Sequence, residues 1–301
     1  MFPLDVFNST AEIFSSANWF LIFLAIVWMI SAVIQDFRKR EVANWWNFSF
    51  IVFVLAYRFF LSVEAWNYAY LLWGLVGLLV GFILSNAFYY ARMFAGGDAK
   101  LLMAIGTILP LSLSWKINLE ILFWFVALFL VGGAIYGLIY SIIISFINFR
   151  KFKKRFVVYL KRYNLVNLFA FSVSMLLILI SIFLKNFYNF PPFLIISFAL
   201  LIFISPLLFF YAKSIEDTCM NRLVSVNFLT IGDWLVKPVK AGRIKIRPDW
   251  EGLSEEDLKK IQKNVRGKIL VKYGIPFTPS FLIGFIGMLA LFLFKIDFFS
   301  I

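Results

Sequence analysis

Three acidic residues stand where apolar sequence gives way to polar sequence: Asp36, Glu41 and Asp98. The chain has sixteen acidic residues in 301, and eight of them lie in one polar stretch near the C-terminus. Asp36 closes the first apolar segment, and Asp98 follows Gly96 and Gly97 in "ARMFAGGDAK" at the start of the fourth. Ionisable groups at a membrane boundary are costly and are often functional.

Two carboxyl groups at the same depth on different helices can hydrolyse a peptide bond. If Asp36 and Asp98 lie close together they cannot both ionise easily, so one keeps its proton. The carboxylate then accepts a proton from water, and the protonated carboxyl donates a hydrogen bond to the scissile carbonyl. Gly96 and Gly97 let the backbone leave helical geometry and let an extended substrate come close. These residues predict an aspartic protease with Asp36 and Asp98 as the catalytic pair.

Structural explanations compete with this interpretation. Asp36 balances the cations at 38–40, and the helix dipole favours Asp98 near a helix N-terminus. A second Gly-Asp pair, Gly232 and Asp233 in "TIGDW", lies between strand-like segments and is interpreted as a turn.

The composition excludes histidine chemistry and most cysteine chemistry. The chain has no histidine and one cysteine, Cys219. Ser-His-Asp triads, Cys-His pairs, His-ligated metals, thiolate zinc clusters and intrachain disulfides are therefore excluded. We expect the protein to use no cofactor and no metal.

The elements that must position the carboxylates are apolar helices. Apolar residues make up 62% of the chain and the mean hydropathy is +0.89, far above a soluble domain. A membrane span needs about 20 apolar residues. Eight stretches are candidates: 18–35, 46–63, 70–91, 99–114, 119–147, 165–184, 193–211 and 279–295. The first lacks the flanks of a signal peptide and is interpreted as a retained helix, and the fourth is short for a span.

The basic residues predict how the chain is oriented. With the 36–44 loop assigned to the cytoplasm, 25 of the 29 Lys and Arg residues lie on the inner side. Asp36 and Asp98 then both face the cytoplasm. The net charge of +13 therefore needs no nucleic acid partner, and the basic run 150–163 is interpreted as an anchor on anionic membrane lipid.

The predicted fold class is an all-α polytopic membrane protein with about eight transmembrane helices and a small α+β cytoplasmic domain inserted before the last helix. We place the transmembrane catalytic core, about seven helices, at 1–212, the cytoplasmic domain at 213–278 and the last helix at 279–301.

Smaller sequence signals predict details within this plan. In the cytoplasmic domain, strand-like runs flank a glycine turn in 235–246, a helix begins after Ser254, and another strand follows in 268–277. The small residues of 74–81 and 132–137 are interpreted as helix-packing positions.

The two carboxylate segments resemble archaeal type IV prepilin and preflagellin peptidases, which are GxGD-type aspartic proteases of the membrane. The family motifs fall on Asp36, Arg38, Arg40, Val42, Asn44 and Trp45 in "AVIQDFRKREVANWWN", and on Gly97, Asp98 and Lys100 in "GGDAKLLMAIG". The later "YGIPFTPSFLIGF" also resembles the archaeal branch. The resemblance is sharp over about 30–105 and looser over 213–285. Ala95 replaces the first glycine of GxGD, and we expect activity to survive because alanine is small.

The resemblance implies a substrate and further roles. It implies cleavage of pilin-like or archaellin precursors, which carry a short basic leader before a hydrophobic helix, on the cytoplasmic side. Glu41 is a candidate contact for that leader, although pairing with a nearby Arg or Lys is the alternative. Lys100 would favour ionisation of Asp98 if it reaches that far. Bacterial relatives carry a tetracysteine zinc segment, which a chain with one cysteine lacks, and nothing indicates their methyltransferase activity.

A transporter is the leading alternative, with Asp36 and Asp98 as a proton or cation relay and the glycines as a broken helix. Transport sites usually lie near the midplane, whereas these carboxylates lie at the edge, and obvious inverted repeats are missing. A non-catalytic scaffold whose 213–278 domain binds a partner is a third interpretation. The choice between archaellin and adhesive-pilin precursors stays open, as does the oligomeric state.

Overall fold

The computed structural model describes residues 12–188, 191–242 and 244–294. The predictions for both chain ends, including the end of the last apolar stretch at Lys295, lie outside these ranges. The helices are α1 (Ser16–Lys39), α2 (Asn44–Glu64), α3 (Ala69–Tyr90), α4 (Gly96–Gly106), α5 (Trp115–Ile147), α6 (Phe149–Arg162), α7 (Asn164–Tyr188), α8 (Pro192–Thr218), α9 (Glu255–Asn264) and α10 (Thr278–Leu293). The strands are β1 (Asn221–Ser225), β2 (Trp234–Leu235), β3 (Val239–Ala241), β4 (Ile244–Ile246) and β5 (Lys268–Lys272).

Six of these helices are long and apolar enough to cross a membrane: α1, α2, α3, α5, α7 and α8. Large apolar side chains on them face outward; Phe23, Phe60 and Phe169 are each more than 65% exposed. Exposure of so much apolar surface to water is unfavourable, whereas contact with lipid chains is favourable. The protein is therefore a multi-pass membrane protein.

The two other predicted spans form shorter helices within the described ranges. α4 has 11 residues and α10 has 16, against the roughly 20 that a span needs. The predicted span 99–114 is interrupted because the chain turns after Gly106, and residues 107–111 are buried by protein. Its apolar side chains therefore belong to a protein core, which is the usual role of an apolar run shorter than a span.

The contacts divide the chain into two compact units, Met1–Ile139 with Gly274–Ile301, and Tyr140–Tyr273. In the first unit, glycines let α3 and α4 pack closely. A Cβ added to Gly77 would lie 2.2 Å from the carbonyl oxygen of Gly106, and one added to Gly81 would lie 2.9 Å from Gly106 Cα. The packing role predicted for 74–81 is confirmed at these positions.

The glycines of α5 divide between two roles. A Cβ on Gly132 would meet Ile283, and one on Gly133 would meet Ser280, so both allow α10 to approach α5. A Cβ on Gly137 would meet nothing within 4 Å. The predicted packing role is therefore confirmed for the first two positions and wrong for Gly137.

A buried arginine closes the C-terminal end of α4. Arg58 of α2 is 2% exposed, and its guanidinium donates hydrogen bonds to the carbonyl oxygens of Tyr70, Ile108 and Pro110. Helix ends leave backbone carbonyls without partners. Arg58 satisfies two such carbonyls in the turn after α4 and ties that turn to α2 and to the start of α3.

The second unit joins helices to a small sheet. The basic run 150–163 lies largely in α6, an amphipathic helix packed on α8. Arg155 of α6 lies 2.6 Å from a carboxylate oxygen of Asp217 on α8, and the hydroxyl of Tyr159 donates to the same oxygen. One face of the basic run is thus bound to protein.

The sheet in this unit has the antiparallel order β1-β5-β2, and β3 and β4 form a separate antiparallel hairpin. The hairpin, the strand β5 and the helix α9 confirm the predictions for 235–246, 268–277 and the stretch after Ser254. The Ser254 hydroxyl accepts a hydrogen bond from the Asp257 N–H, as an N-cap does. The strand β1 was not predicted.

Candidate active site

The first carboxylate lies in the last turn of α1. Asp36 is 6% exposed. α1 ends because Arg40 takes the left-handed conformation, with φ 61°, and donates its N–H to the Asp36 carbonyl oxygen over 2.8 Å. The N–H of Ala43 donates to Gln35 Oε1, which holds the turn that follows against the helix. The guanidinium of Arg40 donates to the carbonyl oxygen of Gly274, which lies shortly before α10.

A residue at the start of α10 binds the Asp36 side chain directly. The Thr278 hydroxyl donates to Asp36 Oδ2 over 2.9 Å, and the Thr278 N–H donates to the same oxygen over 3.3 Å. Thr278 is 1% exposed. No role was predicted for Thr278 from the sequence, although it lies within "YGIPFTPSFLIGF". A threonine directly before a proline at the start of an apolar helix was the available signal.

The second carboxylate lies in the first turn of α4. Ala95 is the N-cap, with φ −73° and ψ 161°, and the helix begins at Gly96. Any L residue adopts this conformation, which explains why alanine can stand where the family motif has glycine. The prediction that Gly96 and Gly97 break helical geometry is wrong, because both are helical.

The surface over these glycines is open. A Cβ on Gly96 would meet nothing within 4 Å, and one on Gly97 would meet only the backbone nitrogen of Val42, at 3.6 Å. Space is therefore open at the two residues that precede Asp98.

The two motif segments contact each other. Gly97 lies beside Val42, and Lys100 Nζ donates to Asn44 Oδ1 over 2.7 Å. Lys100 thus bridges α4 to the first residue of α2 instead of pairing with Asp98. The contacts hold the start of α4 against the turn that follows Asp36.

Asp98 lies outside the six membrane-length helices, and its surroundings favour the protonated form. Desolvation by burial, and after it the negative charge of Asp36, raise the pKa of Asp98 to about 7, while the N–H of Ala95 opposes the shift. The two carboxyl groups are therefore close enough for one to act on the other. A carboxylic acid and a carboxylate side by side can supply a general acid and a general base.

Aromatic side chains pack between the segments that carry Asp98 and Thr278. Phe94, four residues before Asp98, lies 5.2 Å from Phe277 and 5.6 Å from Phe281, measured between ring centroids. Phe129 of α5 lies 5.4 Å from Phe281. Phe277 directly precedes Thr278, so this aromatic cluster links the loop before Asp98 to the residue that binds Asp36.

Other residues singled out from the sequence show no contact with the two carboxyl groups in the described part of the chain. Glu41 is exposed, and Trp45 is 67% exposed. Asp233 lies in the second unit and accepts a hydrogen bond from the Thr230 N–H in a turn, as predicted. Among the residues that the structure describes, no group of three or more His, Cys, Asp or Glu residues could hold a metal ion.

Comparison with known proteins supports the resemblance found in the sequence. Residues 23–149 match the type IV leader peptidase family. The chain is 32% identical over 82 residues to a preflagellin peptidase of Methanocaldococcus jannaschii, a match that covers 27% of this chain and 35% of that protein. It is 26% identical over 127 residues to a preflagellin peptidase of Methanococcus maripaludis, covering 40% of this chain and 55% of that protein.

These matches confirm the resemblance for the segment that carries both aspartates. The chain thus matches between about a third and just over half of the length of these relatives. No solved structure matches the chain.

Proposed function

Because residues 23–149 match the type IV leader peptidase family, we propose that this protein is a membrane aspartic endopeptidase. Its substrates are pilin-like or archaellin precursors, from which it removes the short basic leader. The observation that carries the proposal is the pair formed by Asp36 and Asp98, in which the charge of one acts on the proton of the other. The mechanism uses only side chains of the chain itself and water.

Asp36 is the general base and Asp98 the general acid. The Asp36 carboxylate accepts a proton from water as the water oxygen bonds to the scissile carbonyl carbon. Asp98 gives its proton to the carbonyl oxygen. The tetrahedral intermediate then returns that proton to Asp98, the C–N bond breaks, and the leaving nitrogen takes the proton held by Asp36. Both carboxyl groups regain their starting states.

The open surface at Gly96 and Gly97 receives the extended segment around the scissile bond. Side chains there would occupy the space that the substrate backbone needs. The hydrophobic helix of the precursor remains in the membrane beside the enzyme, and its basic leader lies on the cytoplasmic side. The exposed carboxylate of Glu41 contacts that leader.

The cytoplasmic assignment rests on the distribution of the basic residues. With the 36–44 loop assigned to the cytoplasm and the chain changing sides at each of the eight predicted segments, Asp36 and Asp98 lie on the same side as 25 of the 29 Lys and Arg residues. Thr278, at the start of α10, belongs to the same compact unit as the two carboxyl groups. Lipid surrounds the long helices.

Cleavage of a tagged precursor by purified enzyme in detergent tests this proposal. Asp36→Asn and Asp98→Asn should each lower the cleavage rate by about 100-fold or more, because each removes a group that transfers a proton. Asp233→Asn is the matched control, because Asp233 also follows a glycine but lies in the second unit. The Asp233→Asn enzyme should cleave the precursor at the wild-type rate.

Normal cleavage by the variant of either catalytic aspartate would reject the proposal. Proton uptake by proteoliposomes that depends on the same two aspartates, without precursor cleavage, would support a transporter instead.

A further inference from the structure

Asp36 receives two hydrogen bonds from one residue that lies far away in the chain. The hydroxyl and the backbone N–H of Thr278 both donate to Asp36 Oδ2, over 2.9 Å and 3.3 Å. A hydroxyl can donate or accept, but a backbone N–H can only donate. Asp36 Oδ2 must therefore be an acceptor, which favours the ionised carboxylate.

Fewer hydrogen-bond donors act on the other carboxyl group. One hydrogen-bond donor, the N–H of Ala95, favours the ionised form of Asp98. Burial and the charge of Asp36 both favour its protonated form. The charged groups that act on Asp36 are the Arg40 guanidinium at the end of α1 and the Asp98 carboxyl on α4. From α10, Thr278 adds two donors and no charge.

We propose that Thr278 is a positioning residue that holds Asp36 in the ionised form and orients it, so that Asp36 is the base and Asp98 the acid. This inference rests on the proposed protease function. Thr278 is 1% exposed and binds the Asp36 carboxylate, so it acts through Asp36. The difference in protonation between Asp36 and Asp98 then depends on Thr278, at the start of α10.

The surroundings of Thr278 suit this role. Phe277 packs in the aromatic cluster with Phe94 and Phe281, and Pro279 occupies the first turn of α10. A proline in the first turn fixes its own φ and needs no hydrogen-bond acceptor. The donor groups of Thr278 are thus held in place from both sides.

The pH dependence of kcat/KM separates this role from a structural one. The acid limb reports ionisation of the base, and the alkaline limb reports loss of the proton from the acid. Thr278→Val keeps the shape and the backbone N–H but removes the hydroxyl donor. It should move the acid-limb midpoint about one pH unit higher. At the wild-type optimum it should lower kcat roughly 10-fold and change KM less than about 2-fold.

Two further variants complete the experiment. Thr278→Ser keeps the hydroxyl and should restore the wild-type midpoint. Ser280→Ala is the matched control on the same helix, because the Ser280 hydroxyl is fully buried and has no hydrogen-bond partner within the described part of the chain. It should leave the profile unchanged.

A uniform loss of rate for Thr278→Val at every pH, or an unchanged profile, would overturn the role of Thr278. So would a profile of Thr278→Ser that equals that of Thr278→Val. Cleavage by Asp36→Asn or Asp98→Asn would instead overturn the protease function itself, so the two failures are distinguishable.

Discussion

The close packing of α3 on α4 makes Gly77→Ala a sharp test of how the second carboxylate is positioned. The new Cβ would lie 2.2 Å from the carbonyl oxygen of Gly106 and 2.7 Å from Cδ of Pro110. Non-bonded carbon and oxygen atoms need more than roughly 3 Å. Both obstacles belong to the backbone or to a proline ring, so neither can rotate away, and the two helices must separate by about 1 Å.

That displacement has two measurable effects. Overpacking of a core costs about 1–3 kcal/mol of folding free energy. Gly106 ends the helix that begins beside Asp98, so a shift of α4 moves the carboxyl as well. A misplacement of about 1 Å in a catalytic geometry costs about 100-fold in rate. We expect kcat/KM to fall by about 100-fold and the thermal unfolding midpoint in detergent to fall.

The matched control is Gly137→Ala. It makes the same substitution within a long helix, at a position where a Cβ meets nothing within 4 Å. Because alanine favours helix by up to about 1 kcal/mol relative to glycine, this variant should be as stable as wild type or more so, with the wild-type cleavage rate. Wild-type cleavage and an unchanged unfolding midpoint for Gly77→Ala would refute the positioning argument.

Two further predictions concern stability. The pKa of Asp98 rises from its ordinary value of 3.8 to about 7 on folding. The free energy of unfolding of the wild type should therefore decrease as the pH rises from about 4 through 7. Asp98→Asn removes this loss and should melt above wild type at pH 8, with the difference vanishing below about pH 4; a constant difference across this range would contradict the shift. Arg58→Met should destabilise the protein by about 1–3 kcal/mol for each carbonyl left without a donor, and Arg58→Lys should recover only part of this because one ammonium does not match the fork of donors. Chemical denaturation measures the free energy of unfolding, and Arg38→Met at an exposed position is the control. An equal loss of stability for both methionine substitutions would show that the carbonyl contacts of Arg58 contribute nothing.

The sequence predicted well those features that depend on local pattern. Long apolar stretches gave α1, α2, α3, α5, α7 and α8, and the Ser254 cap marked the start of α9. The prediction of a full span at 99–114 was inaccurate, because hydropathy does not distinguish side chains that face lipid from those buried in protein. The turn after Gly106 is held by Arg58, from a different helix, and no local pattern reports such a contact.

The candidate site divides in the same way. Asp36 and Asp98 became candidates because carboxylates are rare at the ends of apolar segments. Thr278 was missed because its role depends on a hydrogen bond between residues at opposite ends of the chain. Lys100 was assigned to its nearest acidic neighbour along the sequence, whereas in the structure it reaches Asn44 on another helix.

The hydrogen bond from Thr278 to Asp36 spans 242 positions of the chain. A ribosome therefore produces all six membrane-length helices before it produces the donor that Asp36 requires. Throughout that interval the nascent polypeptide holds both aspartates but neither Phe277 nor Phe281 to fasten the loop before Asp98. The surroundings of the Asp36 carboxylate are therefore completed only after the helices that carry both aspartates have been synthesised.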